Sequence, residues 1–367
     1  MTILTGIDDV SLTKLLAGDP PVASVYFNLR ATAQSDAFLR WRTIVAGLTE
    51  QGAPLATVET LAERVLAAVP GPGVLAAFAR GAEVTSTVVL PGAEVPDLSR
   101  YGVLPYLRPL LAWEQEHPGR VLAVLDRTGA DLSVYAAGSA ERVDTAVTGP
   151  DDEIERNAPG GWSQGRYQHR AEDSWEHNAA AVADVLARLL QRCGARILLL
   201  AGDVRALQYL QDHLPKWIHA DVAVRRISGG RSADGSAARL DEQVTAQTHR
   251  IVAEQLEELL AEFAAHAGTG GAAVEGPDET LAALAAGRVR VLLLPTGQAQ
   301  QIRAWFGSGP ADVALEPDPL HRAGGQAYEA FLEDVAIRAG LLTGAQIRLV
   351  PNGPQAFTIA ALCRFVP

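Results

Sequence analysis

The sequence predicts an α/β protein of three domains whose middle domain has a ribonuclease-H-like fold. Three observations carry this expectation. Apolar runs of strand length alternate with longer segments in which apolar residues return every three or four positions. Two breaks divide the 367 residues: the turn-forming His117-Pro118-Gly119 and the Gly- and Ala-rich stretch 265–275. They delimit expected domains at 1–117, 118–267 and 268–367. The middle segment opens with three successive strand patterns and then alternates helix and strand, which is the element order of a ribonuclease-H-like domain.

In the first domain, 22–28 (Val-Ala-Ser-Val-Tyr-Phe-Asn) reads as a strand. A helix is expected over 35–50, with Phe38, Trp41, Ile44, Val45 and Leu48 on one face. A second helix is expected over 61–68, where Thr60 and Glu63 have the spacing of a capping box. Strands at 74–78 and 84–90 and a helix at 106–116 complete the domain. No metal-ligand or nucleophile spacing appears there, so it reads as a binding scaffold.

The middle domain has expected strands at 121–125, 131–136 and 142–147, with Asp126–Ala130 as the first turn. Trp175, Ala179, Val182, Leu186, Leu189 and Leu190 recur at helical spacing, and Gly194 after Cys193 is a C-terminal stop. Strand, helix and strand follow at 197–200, 204–214 and 222–227, then a Gly/Ser/Asp loop and a long helix over 240–263. In the third domain, helices are expected over 279–286 and 326–339, and strands over 289–294, 347–350 and 357–365.

Composition excludes several classes. Apolar residues make up 48% and charged residues 20%, the balance of an ordinary globular protein. No run approaches the ~20 apolar residues of a membrane span, and the first residues lack a basic stretch followed by an apolar one, so no export signal is expected. Cys193 and Cys363 have no CxxC spacing and read as buried small hydrophobes in a reducing cytoplasm. A net charge of −12 argues against broad electrostatic coating of nucleic acid, so any RNA contact would be local and driven by shape.

The most informative stretch is 158–178. Pro159, Gly160 and Gly161 form a turn, and a long helix pattern follows. Between them stand Trp162, Ser163, Gln164, Gly165, Arg166, Tyr167, His169 and Arg170. A Gly-Gly tip beside Arg and aromatic groups suits a crowded, anionic, hydrogen-bonding surface such as folded RNA; the alternative is a solvated loop with a charged helix start. Trp162 would stack on a base or pack on its own domain. Arg166 and Arg170, four apart, would pair with phosphates or with nearby Glu172, Asp173 and Glu176. Tyr167 would serve as a contact or as a core anchor. His169 and His177 are eight apart, too far for a metal site on one helical turn, and neither a metal nor a cofactor is expected. A competing reading is a two-metal nuclease using Asp126, Asp131 and Asp203, although Asp is also favoured in such turns for its turn chemistry alone.

Gly160-Gly161-Trp162-Ser163-Gln164-Gly165-Arg166-Tyr167, with Arg170 and Glu172 after it, resembles the middle-domain tip of eukaryotic and archaeal class-one peptide-chain release factors. Their pattern is Gly-Gly-Gln-Ser-x-x-Arg-Phe-x-x-x-Arg, so Arg170 falls one position short of its last Arg. The strand meander over 121–147 and the helix–strand order behind the tip also resemble that domain. Thr280-Leu281-Ala282-Ala283-Leu284-Ala285-Ala286-Gly287-Arg288-Val289 and the tail 347–365 are similar to the third domain of release factor and Pelota proteins. The resemblance covers about 118–367 and matches the first domain only loosely; it implies a third domain of the release-factor/Pelota type.

Two departures bear on function. Trp162 stands where the family has the Gln that positions water for peptidyl-tRNA hydrolysis, and Gln164 is displaced by two positions. The first domain also lacks an Asn-Ile-Lys-Ser stop-codon-reading motif. A release-factor shape without that Gln resembles the Balon-type ribosome-hibernation factors. The resemblance implies a monomeric, cytoplasmic, non-enzymatic stress factor in the ribosomal A site. It would reach from 16S rRNA at the decoding centre towards 23S rRNA at the peptidyl-transferase centre, in association with elongation factor Tu. Its RNA-binding residues would be Gly160, Gly161, Trp162, Ser163, Gln164, Arg166, Tyr167 and Arg170. Alternatives are a peptidyl-tRNA hydrolase or rescue factor acting through Gln164, the nuclease above, or a protein-interaction scaffold.

Overall fold

The computed structural model describes residues 9–30, 34–126, 128–137, 142–148, 164–230, 237–267, 272–297, 301–322, 326–351 and 357–365. Counts and absences are of these residues. They pack as two compact units, one made of Glu116–Glu254 and the other of the chain before and after it.

The chain opens with α1 (Asp9–Ala17), β1 (Val22–Asn28), α2 (Gln34–Glu50), α3 (Leu55–Leu66), β2 (Gly73–Arg80), β3 (Glu83–Pro91), β4 (Leu98–Gly102) and α4 (Arg108–Glu116). The strands form an antiparallel sheet in the order β3-β2-β1-β4. β1 is buried from Val22 to Phe27, the buried Ser24 included, because both faces of the sheet are covered. Ala23, Val25 and Phe27 pack against Trp41, Ile44, Leu48, Val58 and Leu61 of α2 and α3. Val22 and Tyr26 share the other core with Leu107, Leu110 and Trp113.

Two expectations fail here. Phe38 lies one turn ahead of the buried stripe of α2 and is 55% exposed. The capping box at Thr60 does not form, because α3 begins five residues earlier at Leu55, behind Pro54. Thr60 sits inside the helix and donates to the Ala82 carbonyl at 3.3 Å. β4 escaped the sequence reading because Leu-Ser-Arg-Tyr-Gly is half-buried at every position and shows no alternation.

The next unit contains β5 (Arg120–Leu125), β6 (Gly129–Tyr135), β7 (Arg142–Thr148), α5 (Gln164–Cys193), β8 (Ile197–Gly202), α6 (Val204–His213), α7 (Lys216–Asp221), β9 (Ala223–Arg226) and, up to Glu254, α8 (Ala237–His266). Its sheet runs β7-β6-β5-β8-β9, antiparallel over the first three strands and parallel from β5 to β9. This is the ribonuclease-H-like arrangement expected from the sequence. One face, with Val121, Ala123 and Leu125, packs against Val182, Leu186 and Leu190 of α5 and Leu207 and Leu210 of α6. Leu122, Val124 and Leu199 on the other face pack against Val244 and Ile251 of α8. Gly194 closes α5 at φ 60°.

The last stretch comprises β10 (Ala273–Glu275), α9 (Pro277–Ala285), β11 (Val289–Pro295), β12 (Arg303–Phe306), β13 (Val313–Ala314), α10 (Asp318–Arg322), β14 (Tyr328–Phe331), α11 (Leu332–Leu342), β15 (Gln346–Val350) and β16 (Ala360–Cys363). Its main sheet has the order β10-β16-β11-β15, with β15 parallel to β11 at one edge. A small sheet β13-β12-β14 stands beside it in sequence. The expected helix over 326–339 is divided: Tyr328–Phe331 pair with β12, and the helix starts at Leu332 and passes Gly340 to end at Leu342. Strand pairing wins over helical spacing there because Ala330 is buried in the small sheet. The expected strand over 357–365 is only Ala360–Cys363. α11 is buried from Leu332 to Gly340, and within the same unit Arg100 and Arg108 pair with its Asp334 and Glu333 at 2.9 and 3.0 Å.

Candidate functional site

The tip segment joins β7 to α5. Gly160, Gly161, Trp162 and Ser163 lie outside the described residues, as does the acidic run Asp151-Asp152-Glu153. The described backbone resumes at Gln164, the first residue of α5, so Gln164, Arg166, Tyr167 and Arg170 occupy its first two turns. Their side chains also fall outside the described set. Among the residues of α5 whose side chains are described, from Glu176 on, Asn178, Ala179, Val182, Ala183, Leu186 and Leu190 are buried. Glu176 and His177, just ahead of them, are exposed. At ~1.5 Å of rise per residue, Gln164 lies about 20 Å along the helix axis from Asn178. Positions 166 and 170, four apart on this continuous helix, share one face.

The carboxylates of the nuclease reading have local duties. Asp126 follows β5, and its Oδ1 accepts from the Thr128 N–H, the Thr128 hydroxyl and the Gly129 N–H at 2.8, 2.7 and 3.1 Å. Asp203 follows β8, the parallel neighbour of β5, and caps α6 by accepting from the Arg205 and Ala206 N–H groups at 2.9 and 3.3 Å. Asp131 is an exposed residue within β6. Among the described residues, no group of three His, Cys, Asp or Glu side chains is placed to hold a metal ion.

The cysteines behave as small hydrophobes with inert thiols. Cys363 is buried, whereas Cys193 is half-buried rather than buried, and its thiol donates to the Leu189 carbonyl at 2.8 Å. Burial pushes both thiols above their ordinary range, away from the reactive thiolate. Among the described residues, no helix is long and apolar enough to cross a membrane.

In chain order the Gly-Gly segment stands between β7 and α5 of this sheet. Residues 120–269 match bacterial archaeo-eukaryotic release factor family 2. Over those residues the chain is similar to the bacterial archaeo-eukaryotic release factors. Over 343 residues it is 28% identical to an uncharacterized protein of Mycobacterium tuberculosis, Rv2629 in one strain and MT2704 in another, spanning 91% of this chain and 90% of the relative. Solved structures similar to the chain include the archaeal translation termination factor aRF1, at 15% identity over 97% of both chains with a TM-score of 0.25. Archaeoglobus fulgidus Pelota is 15% identical over 80% of this chain and 79% of its own, with a TM-score of 0.31. Saccharomyces cerevisiae Dom34 is 12% identical over 76% of each chain, with a TM-score of 0.40.

Proposed function

We propose that this protein binds the ribosome, occupies its A site during dormancy or stress, and does so without hydrolysing peptidyl-tRNA. The observation that carries the reading is Trp162 standing in the Gly-Gly tip of a release-factor family domain. A release factor acts on the ribosome, and the tip segment is the part that meets peptidyl-tRNA in the family this chain resembles. With an indole in place of the water-positioning amide, the tip has a stacking group and no group to activate water at that position. An aromatic stacked on an exposed base contributes roughly 1–3 kcal/mol. Gly160, Gly161, Ser163, Gln164, Arg166, Tyr167 and Arg170 would supply the surrounding hydrogen bonds and phosphate contacts. The net charge of −12 confines such contact to a small area. In this reading the protein is cytoplasmic and monomeric, needs no cofactor, contacts 23S and 16S rRNA, and has elongation factor Tu as a partner.

Sedimentation of the purified protein with 70S ribosomes at physiological salt tests the proposal. Co-sedimentation is expected, and a Trp162→Ala, Arg166→Ala variant should lose most of it. A protein that stays at the top of the gradient with and without elongation factor Tu sinks the reading. The second reading, a hydrolase working through Gln164, is favoured by that amide lying two positions from the family's Gln. Release of labelled peptide from programmed ribosomes that Gln164→Ala abolishes would establish it in place of the first.

A further inference from the structure

We propose that the free edge of β15 is a docking site for an extended, acidic peptide segment of a partner protein. β15 is the outermost strand of its sheet, with β11 on one side only. The outward-facing groups of Leu349 are already met by a side chain that mimics a neighbouring strand. The Gln115 amide donates to the Leu349 carbonyl and accepts from its N–H, both at 2.9 Å. The next backbone carbonyl, of Val350, turns the other way and accepts from Thr296 N–H at 2.7 Å. Backbone direction alternates along a strand, so the N–H and C=O of Ile347 face outward with those of Leu349. Gln115 covers one of these two residues and leaves the other as an open pairing site.

A groove of about 460 Å³ runs along this edge, within the ~300–1,000 Å³ typical of ligand sites. Leu12, Leu111, Leu341 and Ile347 give it apolar walls; Glu114 and Arg348 are its charged groups. Arg348 is half-buried and makes no hydrogen bond or ion pair among the described residues. Burial lowers its pKa, and no carboxylate offsets the cost. A guanidinium held in that state is poised for an incoming carboxylate, with two parallel hydrogen bonds to offer. Open main-chain groups on a strand edge match a peptide, which adds a strand and places alternate side chains in the groove. Glu114 opposes a polyphosphate, and of an acidic peptide's carboxylates only the one that reaches Arg348 enters the groove. This inference stands apart from the ribosomal reading and uses none of the tip residues.

The test is fluorescence anisotropy of the full chain with a labelled peptide of four Val-Glu repeats. Binding is expected. A Val-Lys peptide, and one of two Val-Glu peptides N-methylated at alternate amides, should bind at least tenfold more weakly. Arg348→Leu should lose binding at least tenfold while keeping or raising the melting temperature, because it removes an unpaired buried charge. Equal binding of the lysine peptide, or of both methylated peptides, overturns the proposal, as does failure of the Val-Glu peptide to bind. A dimer by analytical ultracentrifugation that the peptide cannot dissociate would assign the edge to a second copy of this chain and equally overturn it.

Discussion

Arg108 and Glu333 form an ion pair at 3.0 Å, with their side chains only 11% and 10% exposed. The other terminal nitrogen of Arg108 donates to the carbonyls of Pro295 and Gly297, each at 2.6 Å. One guanidinium therefore ties α4 to α11 and to the end of β11. Burial raises the Glu333 carboxyl pKa, and Arg108 pulls it back down. Removing only Arg108 strips this carboxylate of its ion-pair partner and leaves it the longer-range pull of Arg100. Arg108→Met should cost about 3–5 kcal/mol in urea denaturation, and adding Glu333→Leu should recover much of that loss.

Asp334, the next residue, gives a pH signature. Burial pushes its carboxyl from 3.8 up to about 6, against the opposing pull of Arg100 at 2.9 Å. The folded state binds this proton more tightly than the unfolded state does, so stability falls as pH rises between those two values. The penalty is absent below the lower value and complete above the upper one, at about 3 kcal/mol. Asp334→Asn should therefore gain about that much on the wild type between pH 3.5 and pH 7 in paired denaturation curves. A constant difference across the range would contradict a raised carboxyl.

Gly202 passes Leu125 at the ends of two parallel strands. Its φ is 125°, and a Cβ there would lie 1.9 Å from the Leu125 carbonyl oxygen. Strain and backbone clash act together, so Gly202→Ala should destabilise the unit by at least about 3 kcal/mol, read as a lowered thermal midpoint.

Asp203 separates cap chemistry from metal chemistry. As the N-cap of α6 it should cost about 0.5–2 kcal/mol when changed to Ala. A purified wild type incubated with Mg²⁺ or Mn²⁺ should leave RNA and single-stranded DNA uncut. Cleavage that Asp126→Asn or Asp203→Asn abolishes would restore the nuclease reading.

Much of this fold was legible in the sequence, and physics decides which parts were not. The runs at 121–125 and 197–200 announce themselves because a strand covered on both faces is apolar at every position. Trp41, Ile44 and Leu48 show their face because a helix on a sheet buries one stripe. Tyr328–Phe331 look helical in isolation and become a strand only because β12 is there to pair with them. Arg108, Glu333, Asp334 and Arg348 carry no local mark, since an arginine in a helix or strand pattern reads as solvated until a distant element covers it. Gly160, Gly161 and Trp162 stand out in the sequence through composition, the only signal that a connection between elements offers.

Among the described side chains of α5, the core of the middle unit holds Val182, Ala183, Leu186 and Leu190, and the Gly-Gly-Trp segment stands upstream of Gln164 in the chain. Val182, Leu186 and Leu190 lie on one stripe against Val121, Ala123 and Leu125, so α5 is fastened to the sheet by its C-terminal half. The register of that half against β5 fixes where the helix begins, because a continuous helix passes any shift of its anchored end along its whole length.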